Sequence, residues 1–340
     1  MNRFSKFSAL GCLFKLILFV LLLCCCVFPG TVFGEKSSTS SDIINSQPDA
    51  SVIHFQDQFF DVYLDDTGNA WLVGFAGKIL HSTNFGKNWE RQQSGTDKAL
   101  FTVSFVNSQQ GWVAGETGTI LHTQDGGMNW ELQKSNVQKE QILKMQFLDL
   151  NTGYAVGSRG LVIYTNDGGN TWQRAPFSED ITLNDLCFIS KKEGWIAGEF
   201  ETIVYTKDAG KTWSFQKEKG LGNYFGVKFI DQHRGVAVGT ECRIIVTDDG
   251  GENWRDATKN IIRKKTLLKV DFFNQKQGIS IGLDGALLET NNAGEIWNPV
   301  PDIKYYNWLS GISLTENGYG LIVGNKGQIS RTEENGKIWQ

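Results

Sequence analysis

The octapeptide TNDGGNTW, residues 165–172, is one of seven copies of a single phrase. Each copy has Ser or Thr first, Asp, Asn or Glu third, Gly fifth and Trp last. The copies are STNFGKNW (82–89), TQDGGMNW (123–130), TNDGGNTW (165–172), TKDAGKTW (206–213), TDDGGENW (247–254), TNNAGEIW (290–297) and TEENGKIW (332–339). Their Trp residues recur at spacings of 41, 42, 41, 41, 43 and 42 residues. This period predicts seven copies of one structural unit.

The residue types within each unit predict short strands and tight turns. In the phrase, the hydroxyl and the Asx-type side chain accept hydrogen bonds from turn amides, Gly supplies a positive φ, and Trp packs over the hairpin. Upstream, segments such as GWVAGETGTILHT (111–123) read as two strands around a Gly-bounded turn. Apolar runs before these segments are candidates for the innermost strands: FTVSFV (101–106), ILKMQFL (142–148), LNDLCFI (183–189), YFGVKFI (224–230) and LLKVDFF (267–273). Four strands per unit predict an all-β, seven-bladed β-propeller with four-stranded antiparallel blades.

The composition supports this fold class and excludes one class of partner. The chain has 340 residues, of which 40% are hydrophobic and 21% are charged, so it can bury a full-sized core. Its 38 Gly, 11 Trp and 22 Phe beside only 5 Pro favour short strands over helices. With 33 basic and 37 acidic residues, the formal charge is −4, which gives no electrostatic reason to bind nucleic acid.

The N-terminal residues predict export. Arg3, Lys6 and Lys15 precede the apolar run 16–28, and residues 32–34 are small or tolerated at a signal-peptidase site, so residues 1–34 read as a secretory signal peptide. An uncleaved membrane anchor and a lipidated cysteine are the alternatives. We expect a periplasmic, thylakoid-lumenal or extracellular protein.

The rest of the chain divides into a linker and the propeller. The Ser-rich stretch 35–50 reads as a flexible linker, and residues 51–340 as the propeller. The last repeat stops at Gln340, one residue after its Trp. We therefore predict that SVIHF (51–55) pairs as a strand in the last blade and closes the ring.

The seven phrases resemble the Asp-box, or BNR repeat, of sialidases and other secreted propellers. Over residues 55–340 the chain is similar to the photosystem II stability and assembly factor family, whose members are exported seven-bladed propellers. In Asp-box proteins the phrase is a structural turn, which implies that Asp125, Asp167, Asp208 and Asp249 are not catalytic. The resemblance implies a non-catalytic scaffold that binds a membrane or envelope protein. We expect a monomer without cofactors.

Family members that act on photosystem II bind a newly made reaction-centre subunit through an Arg-rich patch on one face. We expect the turns between the second and third strands to gather at one end of the channel. Aligned from the repeats, the turn residues are Phe75, Glu116, Arg159, Glu199, Glu241, Asp284 and Lys326. Acids outnumber bases among them, which departs from the Arg-rich patch. The candidate partner-binding residues are Arg159, Arg243, Glu116, Glu199, Glu241, Asp284 and Lys326.

Two loops form a further candidate contact surface. They are residues 261–266, with Arg263, Lys264 and Lys265, and residues 301–308, with Tyr305 and Tyr306. Aromatic and Arg side chains are enriched at protein interfaces.

The competing function is that of a glycan-binding or sialidase-like BNR-repeat protein. A sialidase needs three Arg to hold a carboxylate, and only Arg159 and Arg243 are candidates near the channel. Another glycosidase could draw its acid and its base or nucleophile from the carboxylates of the same turns. A glycan ligand is therefore the alternative to a protein partner.

His and Cys residues give no metal or redox motif. His81 and His122 fall at one repeat position, which Tyr164 and Tyr205 fill in the next two units, so we interpret it as a packing position. No metal site is predicted. Cys187 lies in an inner-strand run and is expected to be a buried thiol, whereas Cys242 lies in a turn and is expected to be more exposed.

Overall fold

The computed structural model describes residues 52–258, 265–300 and 307–340, and these form a seven-bladed β-propeller. Strands are numbered in chain order. The innermost strands are β1 (Phe59–Leu64), β5 (Leu100–Phe105), β9 (Ile142–Phe147), β13 (Leu183–Phe188), β17 (Tyr224–Phe229), β21 (Leu267–Phe272) and β25 (Leu309–Leu314). The second strands are β2 (Ala70–Gly74), β6 (Gly111–Gly115), β10 (Gly153–Gly157), β14 (Gly194–Gly198), β18 (Gly235–Gly239), β22 (Gly278–Gly282) and β26 (Gly320–Gly324). The predicted innermost strands are confirmed to within one or two residues.

The third and fourth strands complete the blades. The third strands are β3 (Ile79–Ser82), β7 (Ile120–Thr123), β11 (Val162–Thr165), β15 (Ile203–Thr206), β19 (Ile244–Thr247), β23 (Leu287–Thr290) and β27 (Ile329–Thr332). The outer strands are β4 (Glu90–Gln92), β8 (Glu131–Leu132), β12 (Gln173–Arg174), β16 (Ser214–Phe215), β20 (Arg255–Asp256) and β24 (Asn298–Pro299). Within the described residues, six sheets therefore have four antiparallel strands and the seventh has three.

The repeated phrase forms the hairpin that leads into each outer strand, with the predicted hydrogen bonds. In the second blade the Thr123 hydroxyl accepts from the amide of Gly127 at 2.8 Å, and Asp125 accepts from the amide of Asn129 at 2.9 Å. Gly127 has a φ of +90°, so the phrase needs glycine there. These bonds keep the carboxylate of Asp125 within its own turn.

Seven apolar clusters hold the ring together, each between two neighbouring blades. One of them joins the last blade to the first, where Leu321 and Val323 pack with Val62 and Leu64. The inner strands of these blades also meet, and the amide of Leu64 donates to the Ser313 hydroxyl at 3.0 Å. Side-chain packing and hydrogen bonds thus close the ring directly between β1 and β25.

Aromatic stacking and a glutamine hydrogen bond strengthen some of these seams. Trp112 of the second blade stacks on Phe147 of the third, with ring centroids 3.5 Å apart. Both Trp112 and Gln133 donate to the Gly168 carbonyl of the third blade, at 3.0 and 2.9 Å, and the Gln133 carbonyl accepts from Trp172. The first and fourth blades donate to a glycine carbonyl of the next blade in the same way, through Trp71 with Gln92 and Trp195 with Gln216.

Closure by an N-terminal strand is not confirmed. Residues 52–55, the described part of SVIHF, form a bend and the start of a turn and do not pair with β27. They lie in the connection that leads to β1, where the amide of Gly327 donates to the Asp57 carbonyl at 2.8 Å. Gln340 pairs with Arg331 through two backbone hydrogen bonds of 2.9 Å, at the register where outer strands begin in the other blades.

Candidate partner-binding face

All seven turns between second and third strands lie at one end of the channel. Inner and second strands are antiparallel, so each inner strand begins where its partner ends, as Phe59 opposite Gly74 and Leu100 opposite Gly115 show. We call this end the turn face. Its turns are residues 75–77, 116–118, 158–160, 199–201, 240–242, 283–285 and 325–327. The seven residues aligned from the sequence all lie in these turns, as predicted.

Their alignment is wrong by one position in three blades. The middle residue of every turn has a left-handed φ between 51° and 58°: Ala76, Thr117, Arg159, Phe200, Glu241, Asp284 and Lys326. Phe75, Glu116 and Glu199 each stand one residue earlier. The glycine at the last turn position marks the register in the first and second blades, whereas the fourth turn lacks that glycine.

Glu116 and Glu199 have a structural role within their own blades. The Glu199 carboxylate accepts a hydrogen bond from the amide of Thr182 at 2.7 Å, and Glu116 accepts from the amide of Ala99 at 3.3 Å. The corresponding side chains of three other blades accept from the equivalent amide: Ser158 from Gln141, Thr240 from Asn223 and Asn325 from Trp308. The turn is thereby fixed to the connection that precedes the inner strand.

The middle turn residues instead project outward and carry charges of both signs. Arg159, Glu241, Asp284 and Lys326 are all exposed. Within the described residues, Arg159 and Glu241 form no ion pair, and Lys326 lies 5.6 Å from the ring centroid of Phe55. These side chains are therefore available to a partner on the turn face.

The fourth and fifth blades differ from the rest at the last turn position. Five blades have Gly there, with φ between 63° and 70°. These two blades have Glu201 and Cys242 instead, with φ of 55° and 59°. A residue with a Cβ pays about 1–2 kcal/mol for this conformation. Cys242 is 2% exposed and Cys187 is 8% exposed, so the prediction that Cys242 is the more exposed thiol is wrong. The last turn residue faces inward, as the buried glycines of the first three blades do. Burial raises the pKa of Cys242 to about 11.

Glu201 is the centre of an ionic cluster that the sequence analysis missed. Its carboxylate lies 3.1 Å from the Lys217 ammonium and 3.1 Å from the Arg243 guanidinium, and it accepts from the amide of Gly222 at 3.3 Å. The Glu201 side chain is 9% exposed, whereas that of Arg243 is 47% exposed. Arg243, a predicted anchor, therefore presents one side to Glu201 and the other to solvent. The sequence feature that could have indicated this cluster is the Glu at a turn position where five other blades have glycine.

The ring of Tyr224 lies beneath this cluster, 5.6 Å from the Lys217 ammonium. Burial, with a smaller contribution from the Glu201 carboxylate, raises the pKa of Tyr224 above its ordinary value. The hydroxyl therefore stays protonated at physiological pH.

Two large apolar side chains are exposed beside the cluster. Phe200 is 46% exposed and Leu221 is 74% exposed. Backbone hydrogen bonds hold their two segments together: Gly220 donates to the Phe200 carbonyl at 2.9 Å, and Glu201 donates to the Gly222 carbonyl at 2.8 Å. An ordered backbone thus presents apolar surface next to the exposed side of Arg243.

Below the turn face, ion pairs join inner strands of different blades. Asp61 of the first blade pairs with Lys144 of the third at 2.8 Å, and Lys228 of the fifth pairs with Asp271 of the sixth at 2.8 Å. Burial lowers the pKa of Lys144, but the carboxylates around it, Asp61 first, outweigh this effect and raise it. Asp271 likewise raises the pKa of Lys228 against burial. The channel interior is charged but internally neutralised.

His81 and His122 occupy a packing position, as predicted. Their rings stack on Trp71 and Trp112, with centroids 4.6 and 4.5 Å apart. Burial lowers the pKa of both imidazoles, so they are neutral at physiological pH.

Several sequence predictions concern residues outside the described ranges. These are the signal peptide, the linker, and Arg263, Lys264, Tyr305 and Tyr306 of the two loops. Lys265 is described, and its ammonium donates to the Asp284 carbonyl at 2.5 Å. Among the described residues, no helix has the length and apolar character needed to cross a membrane.

Solved structures share this fold. YCF48 bound to D1 peptide is 22% identical, with a TM-score of 0.69 over 82% of this chain and 93% of that chain. YCF48 from Cyanidioschyzon merolae is 17% identical, with a TM-score of 0.66 over 82% and 96%. A GH74 xyloglucanase from Xanthomonas campestris is 10% identical, with a TM-score of 0.70 over 84% of this chain and 53% of that chain. At these identities the likeness concerns the fold alone.

A comparison with curated proteins gives no match. The family model described as photosynthesis system II assembly factor YCF48 matches residues 43–138, 128–223 and 216–340, which together take in every blade. The family resemblance noted from the repeats is thereby confirmed, and this chain belongs to the YCF48 family of photosystem II assembly factors.

Proposed function

We propose that this protein is an exported, non-catalytic propeller that binds a membrane or envelope protein through its turn face. The observation that carries the proposal is the exposed apolar pair Phe200 and Leu221 beside Arg243, on the same face as Arg159. Phe and Arg are among the residue types enriched at protein interfaces. One solved relative, YCF48, is bound to a D1 peptide, which supports a protein segment as the ligand.

The rigidity of the fold explains how such a face would work. Each turn is fastened by hydrogen bonds to the connection before its inner strand, and each blade packs on two neighbours. A preorganised surface loses little conformational entropy when it binds. The turn face therefore acts as a platform for one partner segment, with Arg159, Arg243, Glu241, Asp284 and Lys326 setting its charge preference.

The N-terminal residues complete the proposal. Residues 1–34 direct export, and residues 35–50 act as a flexible tether, so the propeller at 51–340 works outside the cytoplasm as a monomer. Cleavage of the signal would leave 30 basic and 37 acidic residues, because the segment contains three basic residues and no acid.

The test is crosslinked affinity purification of the tagged full-length protein from the envelope fraction of its source cell. The Arg159→Glu/Arg243→Glu variant reverses two charges on the turn face. The Lys207→Glu/Lys211→Glu variant makes the same charge change on exposed residues of an Asp-box turn at the other end of the blade. We expect a specific membrane or envelope protein that only the turn-face variant loses. The proposal would be contradicted if the wild type and both variants recovered the same envelope protein equally, or if none of them recovered one.

The alternative is a glycan-binding or glycan-active protein, in line with the fold shared with the xyloglucanase. Glu116 and Glu199 each use carboxylate oxygen to fasten their own turn, which leaves Glu241 and Asp284 as the freer acids. Release of reducing sugar or sialic acid that Glu241→Gln or Asp284→Asn abolishes would favour this alternative over the scaffold.

A further inference from the structure

Glu201 has the features of a bound ligand rather than of an ordinary turn residue. Five blades place glycine at its position, and Glu201 adopts the same left-handed backbone conformation with a φ of 55°. Its side chain is 9% exposed, and a Cβ added to Gly220 would lie 2.4 Å from its carboxyl carbon. The surrounding loop is thus shaped closely around this carboxylate.

The groups around it form a complete carboxylate receptor. Arg243 supplies a guanidinium at 3.1 Å from one oxygen and 3.2 Å from the other. Lys217 supplies an ammonium at 3.1 Å, and Gly222 supplies a main-chain amide at 3.3 Å. Guanidinium, ammonium and backbone amide are the donors that proteins use to bind carboxylates.

Removal of the Glu201 carboxylate would leave a site with two positive charges. The Arg243 side chain is 47% exposed and that of Lys217 is 22% exposed, so both can be reached from the turn face. Phe200 and Leu221 stand exposed on the two segments that hold the site. The surface therefore fits a carboxylate that is next to a large apolar side chain.

We propose that Glu201 is an internal competitor for this site, and that a carboxylate of the protein partner takes its place between Arg243 and Lys217 when the complex forms. This inference rests on the proposed binding of a protein to the turn face, and it names the chemistry of the contact. A C-terminal carboxylate and an Asp or Glu side chain carry the same group, so the test separates these two sources.

The test uses Glu201→Gly, which installs the residue that five other turns tolerate at this backbone conformation. Cys242→Gly is the matched control, because it makes the same replacement at the equivalent position of the next blade without removing an acid. Three labelled peptides serve as probes: one ends in Phe-Leu with a free carboxylate, one is its C-terminal amide, and one is amidated but has Asp before the Phe-Leu pair. Fluorescence anisotropy gives Kd for each at low salt.

We expect Glu201→Gly to bind a carboxylate peptide about 10-fold more tightly than the wild type or Cys242→Gly, because binding no longer has to displace an internal acid. The amidated peptide without Asp should bind Glu201→Gly no more tightly than it binds the wild type. Arg243→Ala added to Glu201→Gly should abolish the gain in affinity for the carboxylate peptides. Glu201→Gln, which keeps the side-chain shape, should give a smaller gain and serves if the glycine variant is unstable. The preferred peptide identifies the source of the carboxylate.

An unchanged Kd in both Glu201 variants, or a gain that survives Arg243→Ala, would overturn the inference. A different result bears on the proposed function. If Glu201→Gly binds the peptides more tightly but neither it nor the wild type retains an envelope protein in the purification, the carboxylate site stands and the proposed protein partner does not.

Discussion

Loss of the Asp61 carboxylate should destabilise the whole propeller, because this group joins three inner strands. Asp61 accepts hydrogen bonds from the Lys144 ammonium at 2.8 Å, the Thr102 hydroxyl at 3.1 Å and the Val103 amide at 3.3 Å. Its side chain is 4% exposed and that of Lys144 is 23% exposed. The amide of Val62 also donates to this carboxylate, at 3.1 Å. Asp61→Ala therefore leaves four donors, one of them charged, without their acceptor.

The size of the effect follows from this environment. Breaking a buried ion pair by removing one partner costs roughly 3–5 kcal/mol. The Lys144 ammonium remains partly solvated and is still attracted by Asp185 and Asp271. We therefore expect a loss at the lower end of this range, about 3 kcal/mol. At about 2–4 °C per kcal/mol for a domain approaching this size, Tm should fall by roughly 6–12 °C.

Thermal and urea unfolding of the purified propeller measure this loss, and a double-mutant cycle isolates the pair. Asp61→Asn and Lys144→Met should each destabilise, but the combined variant should be at least about 1 kcal/mol more stable than their sum, since no unpaired charge remains. An Asp61→Ala variant within about 0.5 kcal/mol of wild type, or strictly additive Asp61→Asn and Lys144→Met effects, would refute the reasoning.

Two further predictions concern the seams and the Asp-box turns. Gln133→Ala should lower the free energy of unfolding in urea by about 1–2 kcal/mol, because Trp172 loses its acceptor. Leu132→Ala, at a residue that is 74% exposed, should lower it much less. Equal losses would contradict a stabilising role for Gln133 between the blades. Hydrogen bonds from the turn lower the pKa of Asp208 and Asp249 to about 2. The contribution of these carboxylates to stability is therefore full above pH about 4 and is lost as the pH falls towards 2. Asn replaces these acids in two natural copies of the phrase, so Asp208→Asn/Asp249→Asn should fold and show a flatter acid limb of stability against pH; an unchanged limb would contradict this.

The fold could be predicted from the sequence because its determinants are local and repeated. The spacing of the Trp residues sets the blade length, and Thr123 with Asp125 forms its turn from residues at most four positions apart. The same repetition identified His81 and His122 as packing residues, since a position filled by His and Tyr in equivalent units is typical of a stacked ring.

Contacts between distant parts of the chain could not be predicted in the same way. Asp61 and Lys144 are 83 residues apart, and they meet only because the ring brings the first and third blades to one channel. The β-branched and aromatic residues of SVIHF have strand character, but they also suit the connection between two blades. Packing between the first and last blades, not local propensity, decided its conformation.

The sequence predicted where the candidate site lies but not which contacts its side chains make. The Gly-bounded signature located the turns, with Arg159 in the third turn and Arg243 directly after the fifth. It gave no indication that Glu199 binds an amide of its own blade. For Glu201, which holds Arg243 and Lys217, the only sign was a Glu where five other turns have glycine. Two acids so close in sequence differ in role because the turn directs successive side chains to different sides.

The central claim, that the turn face binds a protein, is tested most directly by photocrosslinking in the source cell. A photoreactive amino acid at position 200 lies on the turn face, and the same group at position 211 lies in an exposed Asp-box turn at the other end of the blade. The account predicts a crosslink from position 200 to one membrane or envelope protein and none to that protein from position 211. A crosslink to the same protein from position 211 alone, or no crosslinked protein from position 200, would contradict it.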